Sequence, residues 1–169
     1  MFRSFIIVCF TLFSLNSFSQ SKSATETTTY YFIRHAEKDR SDTSEKDPHL
    51  TEVGHQRAQN WSSIFQHISF DAVYSTNYHR TKETGQPTAE KNNLEITIYN
   101  TNTYFDEDFK SATKGKTVLV VGHSNTIPEF VNAVIGSEKY EHIDDGNNGN
   151  LYIVTLIGET VNDIVLTIN

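Results

Sequence analysis

Residues 117–121 (TVLVV) are apolar at every position after the first, and Gly122-His123-Ser124 follows without a spacer. Side chains alternate between the two faces of a strand, so a run that is apolar throughout has to be covered on both faces. That is the condition of a central strand in a parallel sheet. Parallel neighbours are joined by long crossovers, usually helices, and the rest of the chain has the pattern for them. Residues 29–33 (TYYFI), 71–75 (DAVYS) and 95–99 (EITIY) read as further strands. Thr51 is placed to cap a helix whose apolar positions Val53, Ala58, Trp61, Ile64 and Phe65 keep helical spacing to about Gln66. A second helical stretch starts at about Tyr78, is interrupted near Gly85 and Pro87, and resumes to about Asn92. A third runs from about Ile127 to Ile135 and stops at Gly136. Residues 150–156 and 163–168 close the chain as a hairpin around Gly158. Between these elements, residues 38–49 are a charged loop. Residues 100–114 are a polar, acidic segment anchored by Tyr104, Phe105 and Phe109. Strands alternating with helices predict an α/β domain with a mostly parallel sheet. It occupies residues 29–169, with no internal repeat and no second domain.

The amino terminus does not belong to that domain. Arg3 precedes an apolar run over residues 5–18, and Ser17-Phe18-Ser19 offers small residues where a signal peptidase reads. This layout predicts a secretory signal peptide over residues 1–19, cleaved after Ser19, and a flexible Ser/Thr-rich leader over residues 20–28. A spanning helix needs roughly 20 apolar residues. This run is shorter and is broken by Thr11, Ser14, Asn16 and Ser17, so no stable membrane insertion is expected after cleavage. The one cysteine, Cys9, lies inside the signal, leaving the mature chain without a thiol. The expected location is periplasmic or secreted.

Charge excludes one class of partner. With a formal net charge of −7 and no basic run, the chain is repelled by nucleic-acid backbones and anionic membranes. An anionic small substrate would have to be held by a local cluster of cations against that global field.

Such a cluster is written at the strand ends. Arg34-His35-Ala36-Glu37 follows the first strand, Ser75-Thr76 ends the second, and Arg80-Thr81 opens the next helix. Gly122-His123-Ser124 follows the fourth. In open α/β sheets ligands bind beyond the carboxyl ends of the strands, so these groups should meet at one edge. Guanidinium donors match phosphate oxygens, and a neutral imidazole can serve as a nucleophile. The pattern points to a phosphate site. A lone histidine beside a strand is more often structural, and it is the joint occurrence that carries the argument. Ser124 and Asn125 can donate to the phosphate or cap the following helix, and capping is the favoured reading. His49, His55, His67 and His142 have no supporting context, and His79 falls at most on the rim. No cluster has metal-ligand spacing.

FIRHAEK, the segment 75–84 (STNYHRTKET) and VLVVGHSNT resemble the histidine phosphatase superfamily, also called phosphoglycerate-mutase-like, in its short secreted bacterial type. LTEVGHQRA (residues 50–58) resembles the family's first helix, and the likeness extends from about Tyr30 to about Ile135. The resemblance implies a three-layer αβα fold and a phosphoric-ester hydrolase that works without metal or organic cofactor. It implies a phosphohistidine formed on His35, with Arg34, Arg80 and His123 clamping the phosphate of a small phosphorylated substrate. Ala36 stands where many members have glycine. For the general acid, the acidic segment offers Glu107, then Asp106 and Asp108, with Glu37 as a competitor. Each is also readable as a solvated surface carboxylate. Lys38 is a further candidate for contact with the substrate anion. Protonated His123 would balance charge in the transition state.

Three alternatives remain beside a phosphomonoester hydrolase. A mutase acting on phosphorylated glycerate or sugars would need insertions for which this chain is short. A phosphohistidine-protein phosphatase fits the length, and a non-catalytic phosphate-binding module would keep the pocket without turnover.

Overall fold

The computed structural model describes residues 26–168. The predicted signal peptide and most of the predicted leader lie outside them. Among the described residues the order is β1 (Thr27–Arg34), α1 (Glu52–Ile64), β2 (Ala72–Ser75), α2 (His79–Lys91), β3 (Ile96–Ile98), α3 (Glu107–Thr113), β4 (Thr117–Gly122), α4 (Thr126–Ile135), β5 (Asn150–Ile157) and β6 (Thr160–Thr167). The six strands form one sheet in the order β3-β2-β4-β1-β5-β6. The pairs β3–β2, β2–β4 and β4–β1 are parallel, and β5 and β6 add an antiparallel edge.

The apolar run of β4 is central, as its composition requires. Its alternate residues serve two separate cores. Val118 and Val120 pack with Phe32, Ile127, Phe130 and Val131 on one face. Leu119 and Val121 pack with Ile33, Trp61, Phe65 and Val73 on the other. Helices α1 and α2 cover the second face and α4 the first, giving an α/β fold of three layers with a mostly parallel sheet.

Local signals account for most boundaries. The Thr51 hydroxyl accepts from the Gly54 N–H at 3.1 Å and starts α1. Gly136 ends α4 in the left-handed conformation with φ 70°. Three expectations need correction. Thr27 and Thr28 extend β1 into the predicted leader, because they pair with Ile157 and Leu156 of the hairpin. Helix α2 is continuous through Gly85 and Pro87. Helix–sheet packing overrides the local breakers: a Cβ on Gly85 would stand 3.3 Å from Val121 Cγ2, so the glycine lets α2 lie close on the sheet. The acidic segment holds a two-turn helix, α3, capped by Asp106, whose carboxylate accepts from the Phe109 N–H at 2.9 Å.

The parallel register decides where chemistry gathers. Arg34 is opposite Gly122, and Ser75 is opposite Val121. The chain therefore leaves β1, β2 and β4 at the same end of the sheet.

Candidate active site

His35 and His123 begin where β1 and β4 stop. The His35 N–H donates to the Gly122 carbonyl at 2.9 Å, so the last rung of the β1–β4 ladder fixes the His35 backbone. The two imidazoles face each other edge-on, with ring centroids 5.5 Å apart. They line a pocket of about 390 Å³ together with Arg34, Lys38, Tyr78, Arg80 and Asp145, among others. The structure thus brings together five of the residues singled out in the sequence: Arg34, His35, Lys38, Arg80 and His123.

His35 is 4% exposed. Its Nδ1 lies 2.7 Å from the Ala36 carbonyl, which can only accept, so Nδ1 carries the proton. The lone pair is left on Nε2, which makes no hydrogen bond to protein among the described residues. Burial pushes the imidazole down to about 3, opposed by the Ala36 hydrogen bond and reinforced by Arg34, His123 and Arg80. His35 is held as a neutral ring in one tautomer.

The tautomer of His123 follows from its neighbours. The single Thr81 hydroxyl proton is shared between the Thr76 and Tyr78 carbonyls, each 3.0 Å from Oγ1. It therefore accepts from the Thr76 hydroxyl at 2.9 Å. Thr76 Oγ1 in turn accepts from His123 Nε2–H at 2.9 Å. His123 Nδ1 is then the bare nitrogen, and Arg80 Nη2 approaches it at 3.5 Å. Burial first, then Arg80, Lys38 and Arg34, push His123 down to about 4. His123 is thus neutral in the protein by itself, whereas the expectation of a protonated His123 concerns the substrate-bound state. A bound phosphate dianion would work in the opposite direction, because an opposite charge favours imidazolium.

Gly122 makes this corner possible. A Cβ there would stand 2.6 Å from Tyr99 Oη, 2.8 Å from Thr126 Oγ1 and 2.9 Å from Ile127 Cδ1. Thr126 rather than Ser124 or Asn125 receives the free backbone donor: its hydroxyl accepts from the His123 N–H at 2.9 Å. Asn125 makes no capping hydrogen bond. Ser124 and Asn125 instead line the pocket.

The two arginines do different work. Arg34 is 2% exposed. Its Nη1 donates to the carbonyls of Asp144, Asp145 and Asn147 at 2.9, 3.0 and 2.9 Å, and its Nη2 bonds Asp145 Oδ1 at 2.7 Å. Much of its donor capacity ties the end of β1 to the loop before β5. In the same loop, Asn148 Nδ2 donates to the His35 carbonyl at 2.8 Å. Arg80 is less committed. Its guanidinium carbon stands 4.3 Å over the Tyr78 ring, and its ion pair with Asp47 is 3.4 Å. Lys38 is lowered by burial and by the cations Arg80 and Arg40.

None of the proposed acids reaches the pocket. Glu107 is 89% exposed and pairs with Lys110 at 2.7 Å. It lines a different cavity of about 750 Å³ beside Thr28 and Tyr30 in the amino-terminal half of β1, away from the end that carries His35. Asp106 is spent on capping α3, and Asp108 borders a third cavity with Tyr74 and Phe109. Glu37 is held by Arg57 at 2.8 Å against α1. Among the described residues, the carboxylate lining the pocket is Asp145. Its pKa is lowered by the Arg34 hydrogen bond and by Arg40, which makes it an anion rather than an acid. Asp145, Asn148 and Asp47 carried no local signal, because only the folded chain brings them to the strand ends. Tyr78 and Thr76 lie within recognised motifs, yet their roles depend on contacts.

Residues 30–101 match the model of the histidine phosphatase superfamily (branch 1). The match takes in Arg34, His35 and Arg80 and stops short of His123. No curated protein matches the chain by sequence. Among solved structures, the chain is similar to a protein from Agrobacterium tumefaciens assigned as the phosphohistidine phosphatase SixA. The identity is 20% and the TM-score 0.60, covering 83% of this chain and 99% of that one. It is also similar to the phosphoserine phosphatase of Entamoeba histolytica in complex with 3-phosphoglyceric acid, at 20% identity and TM-score 0.58, covering 84% and 96%. A mycobacterial glucosyl-3-phosphoglycerate phosphatase complexed with VO3 matches at 12% identity and TM-score 0.61, covering 84% and 99%. These likenesses show the fold, which is phosphoglycerate-mutase-like.

Proposed function

We propose that this chain is a member of the histidine phosphatase superfamily that hydrolyses a phosphomonoester through a phosphohistidine on His35. The observation that carries the reading is the state of His35: a buried neutral imidazole whose Nδ1 proton is fixed by the Ala36 carbonyl, with Nε2 free toward a pocket of cations. In the first step the Nε2 lone pair bonds phosphorus. The bond from phosphorus to the leaving oxygen breaks, and its electron pair goes to that oxygen, which takes a proton from solvent. In the second step water attacks the phosphohistidine, the N–P bond breaks, and its pair returns to Nε2 as inorganic phosphate leaves. Arg80 and Lys38 hold the equatorial oxygens, and His123 joins them once the phosphate's charge draws a proton onto Nδ1. Arg34 contributes mainly by fixing the strand end.

The test is a trapped label. Brief reaction with a 32P-phosphoester in the presence of EDTA should leave acid-labile, base-stable phosphate on the protein. The label should be absent in His35→Ala and slower to form in His123→Ala. Label that needs a divalent ion, or that survives in His35→Ala, would overturn the reading. Residues 1–19 act as an export signal in this reading. The mature enzyme should begin near Gln20 outside the cytoplasm, which terminal sequencing of the native protein would check.

One observation favours a second reading. Among the described residues no carboxylic acid is free in the pocket: Glu37, Asp106, Glu107 and Asp108 lie elsewhere, Asp145 is ion-paired, and Asp47 is held against Arg80 and the His79 N–H. An alkoxide leaving group therefore has no dedicated proton donor. A phosphohistidine whose distal ring nitrogen is protonated takes the P–N electron pair and leaves as a neutral imidazole, bringing its own proton, so a phosphohistidine in a protein or peptide is the alternative substrate. Relative kcat/KM decides: phosphoimidazole and aryl phosphates should far outrun alkyl phosphates. Equal rates for aryl and alkyl esters would remove the argument.

A further inference from the structure

A second group of side chains converges where the 38–49 loop meets α2. His79 and Glu83 stand one turn apart on α2, an i,i+4 pair that shares one helix face. His49 meets them from the end of the 38–49 loop. Each of the three offers a ligand atom, and all three atoms lie within 4.8 Å of one another. The His49 and His79 rings stack with centroids 4.1 Å apart and an interplanar angle of 24°. His49 Nδ1 bonds Glu83 Oε1. The other oxygen, Glu83 Oε2, accepts from the Leu50 N–H at 2.9 Å, which fixes the carboxylate with Oε1 turned toward the histidines.

A plain ion pair explains His49 and Glu83. It does not explain the third member, since the acidic partner of His79 Nε2, Asp47 Oδ2, is 3.8 Å away.

We propose that His49, His79 and Glu83 form a binding site for a divalent transition-metal ion of the Zn2+ class, separate from the phosphate pocket. Two imidazoles and one carboxylate suit Zn2+ and its late first-row neighbours rather than Mg2+ or Ca2+, which take oxygen ligands. Ligand bonds of about 2.0–2.2 Å set neighbouring ligand atoms roughly 3.3–3.5 Å apart around a tetrahedral ion, so His49 and Glu83 would open from their hydrogen bond while His79 closes in. His49 and His79 are 63% and 48% exposed, so their side chains are free to do so. Asp47 is placed beside His79 for a fourth position, or water fills it. The ion would clip the 38–49 loop to α2. That loop already docks there through Asp47, whose carboxylate accepts from the His79 N–H at 2.9 Å and touches Arg80. The site is structural, and turnover does not pass through it.

Calorimetric titration of the tag-free full chain with ZnCl2 tests this, with Co2+ absorption reporting coordination. One saturable site is expected. His49→Ala and His79→Ala should each weaken it about tenfold or more. His35→Asn and His123→Asn, which alter the other paired imidazoles, should leave it unchanged. Zn2+ should raise the Tm of the wild type and not that of His79→Ala. Absence of saturable binding would overturn the proposal. So would binding that survives in His49→Ala and His79→Ala but is lost in His123→Asn, which would place the ion in the phosphate pocket.

Discussion

Burying two neutral imidazoles beside cations makes the site a source of acid instability, and the size of the effect follows from the structure. His35 titrates near 6.5 in the unfolded chain and near 3 in the folded one; His123 moves from 6.5 to about 4. Both shifts are downward. Their stability is fully present above pH 6.5 and is lost as pH falls toward 3–4, because the unfolded chain binds protons that the fold refuses. At pH 5 the unfolded form of each histidine is stabilised by about 2 kcal/mol relative to high pH, and this holds for any folded value well below 5. Partial exposure of His123 makes its share the smaller one. Urea melts at pH 7, 6 and 5 measure the loss. About 2 kcal/mol is a midpoint change of about 1 M for a domain of this size. His35→Asn keeps the site polar and removes one titrating group, so its melts should lose less between pH 7 and pH 5 by that amount. His49 works in the opposite direction, since Glu83 raises it, but it is common to both proteins and cancels in the difference. Identical pH slopes for wild type and His35→Asn would refute the reasoning. An NMR titration in which the His35 imidazole protonates near pH 6 would do the same.

Glu107→Gln should leave kcat/KM within about twofold, because an exposed residue in another cavity changes little; steady-state kinetics on an aryl phosphate checks it. Arg80→Ala should lower kcat/KM by about 10²–10³ and raise KM as well, since a guanidinium that grips phosphate acts in the ground state too. Gly122→Ala should cost about 1–3 kcal/mol in a urea melt, because the new methyl meets Tyr99, Thr126 and Ile127 at under 3 Å.

The strands of the parallel core were legible because burial on both faces leaves a compositional mark, plainest at Val118–Val121. The histidines could be placed because a residue directly after a buried strand has one place to go. Helix α3 was not legible: its signal is one capping aspartate and one buried phenylalanine, Phe109, in a run otherwise polar. The continuity of α2 was hidden for a related reason, since Gly85 and Pro87 are local breakers whose tolerance depends on packing against β2 and β4. The resemblance points to Glu107 through the acidic segment between the third and fourth strands, and that position does not say which end of a sheet a short helix will occupy. His49, His79 and Glu83 show the same limit. The helical pair was in register, but the third member approaches from a loop whose path only the fold determines.

The sequence presented Arg34 and Arg80 as equal members of a phosphate clamp, and the geometry separates them. Three carbonyls and one carboxylate already surround the Arg34 guanidinium, so phosphate would have to compete with Asp145 for it. The exposed Asp145 side chain also bonds Arg40 at 2.7 Å, so it could swing away with a cation still beside it. An incoming dianion would then replace Asp145 at Arg34 Nη2, so the buried guanidinium would keep an anionic partner while the exposed carboxylate returns to solvent. Arg80 needs no such exchange beyond a loose 3.4 Å contact with Asp47. On the proposed reading, phosphate would meet Arg80 and Lys38 first, and Arg34, whose main role is to fix the strand end, would add a contact only as Asp145 yields. On that reading the buried Arg34 would hold the strand end that carries His35 rigid before substrate arrives, and Arg80, 11% exposed, would supply the initial attraction that an acidic protein otherwise lacks.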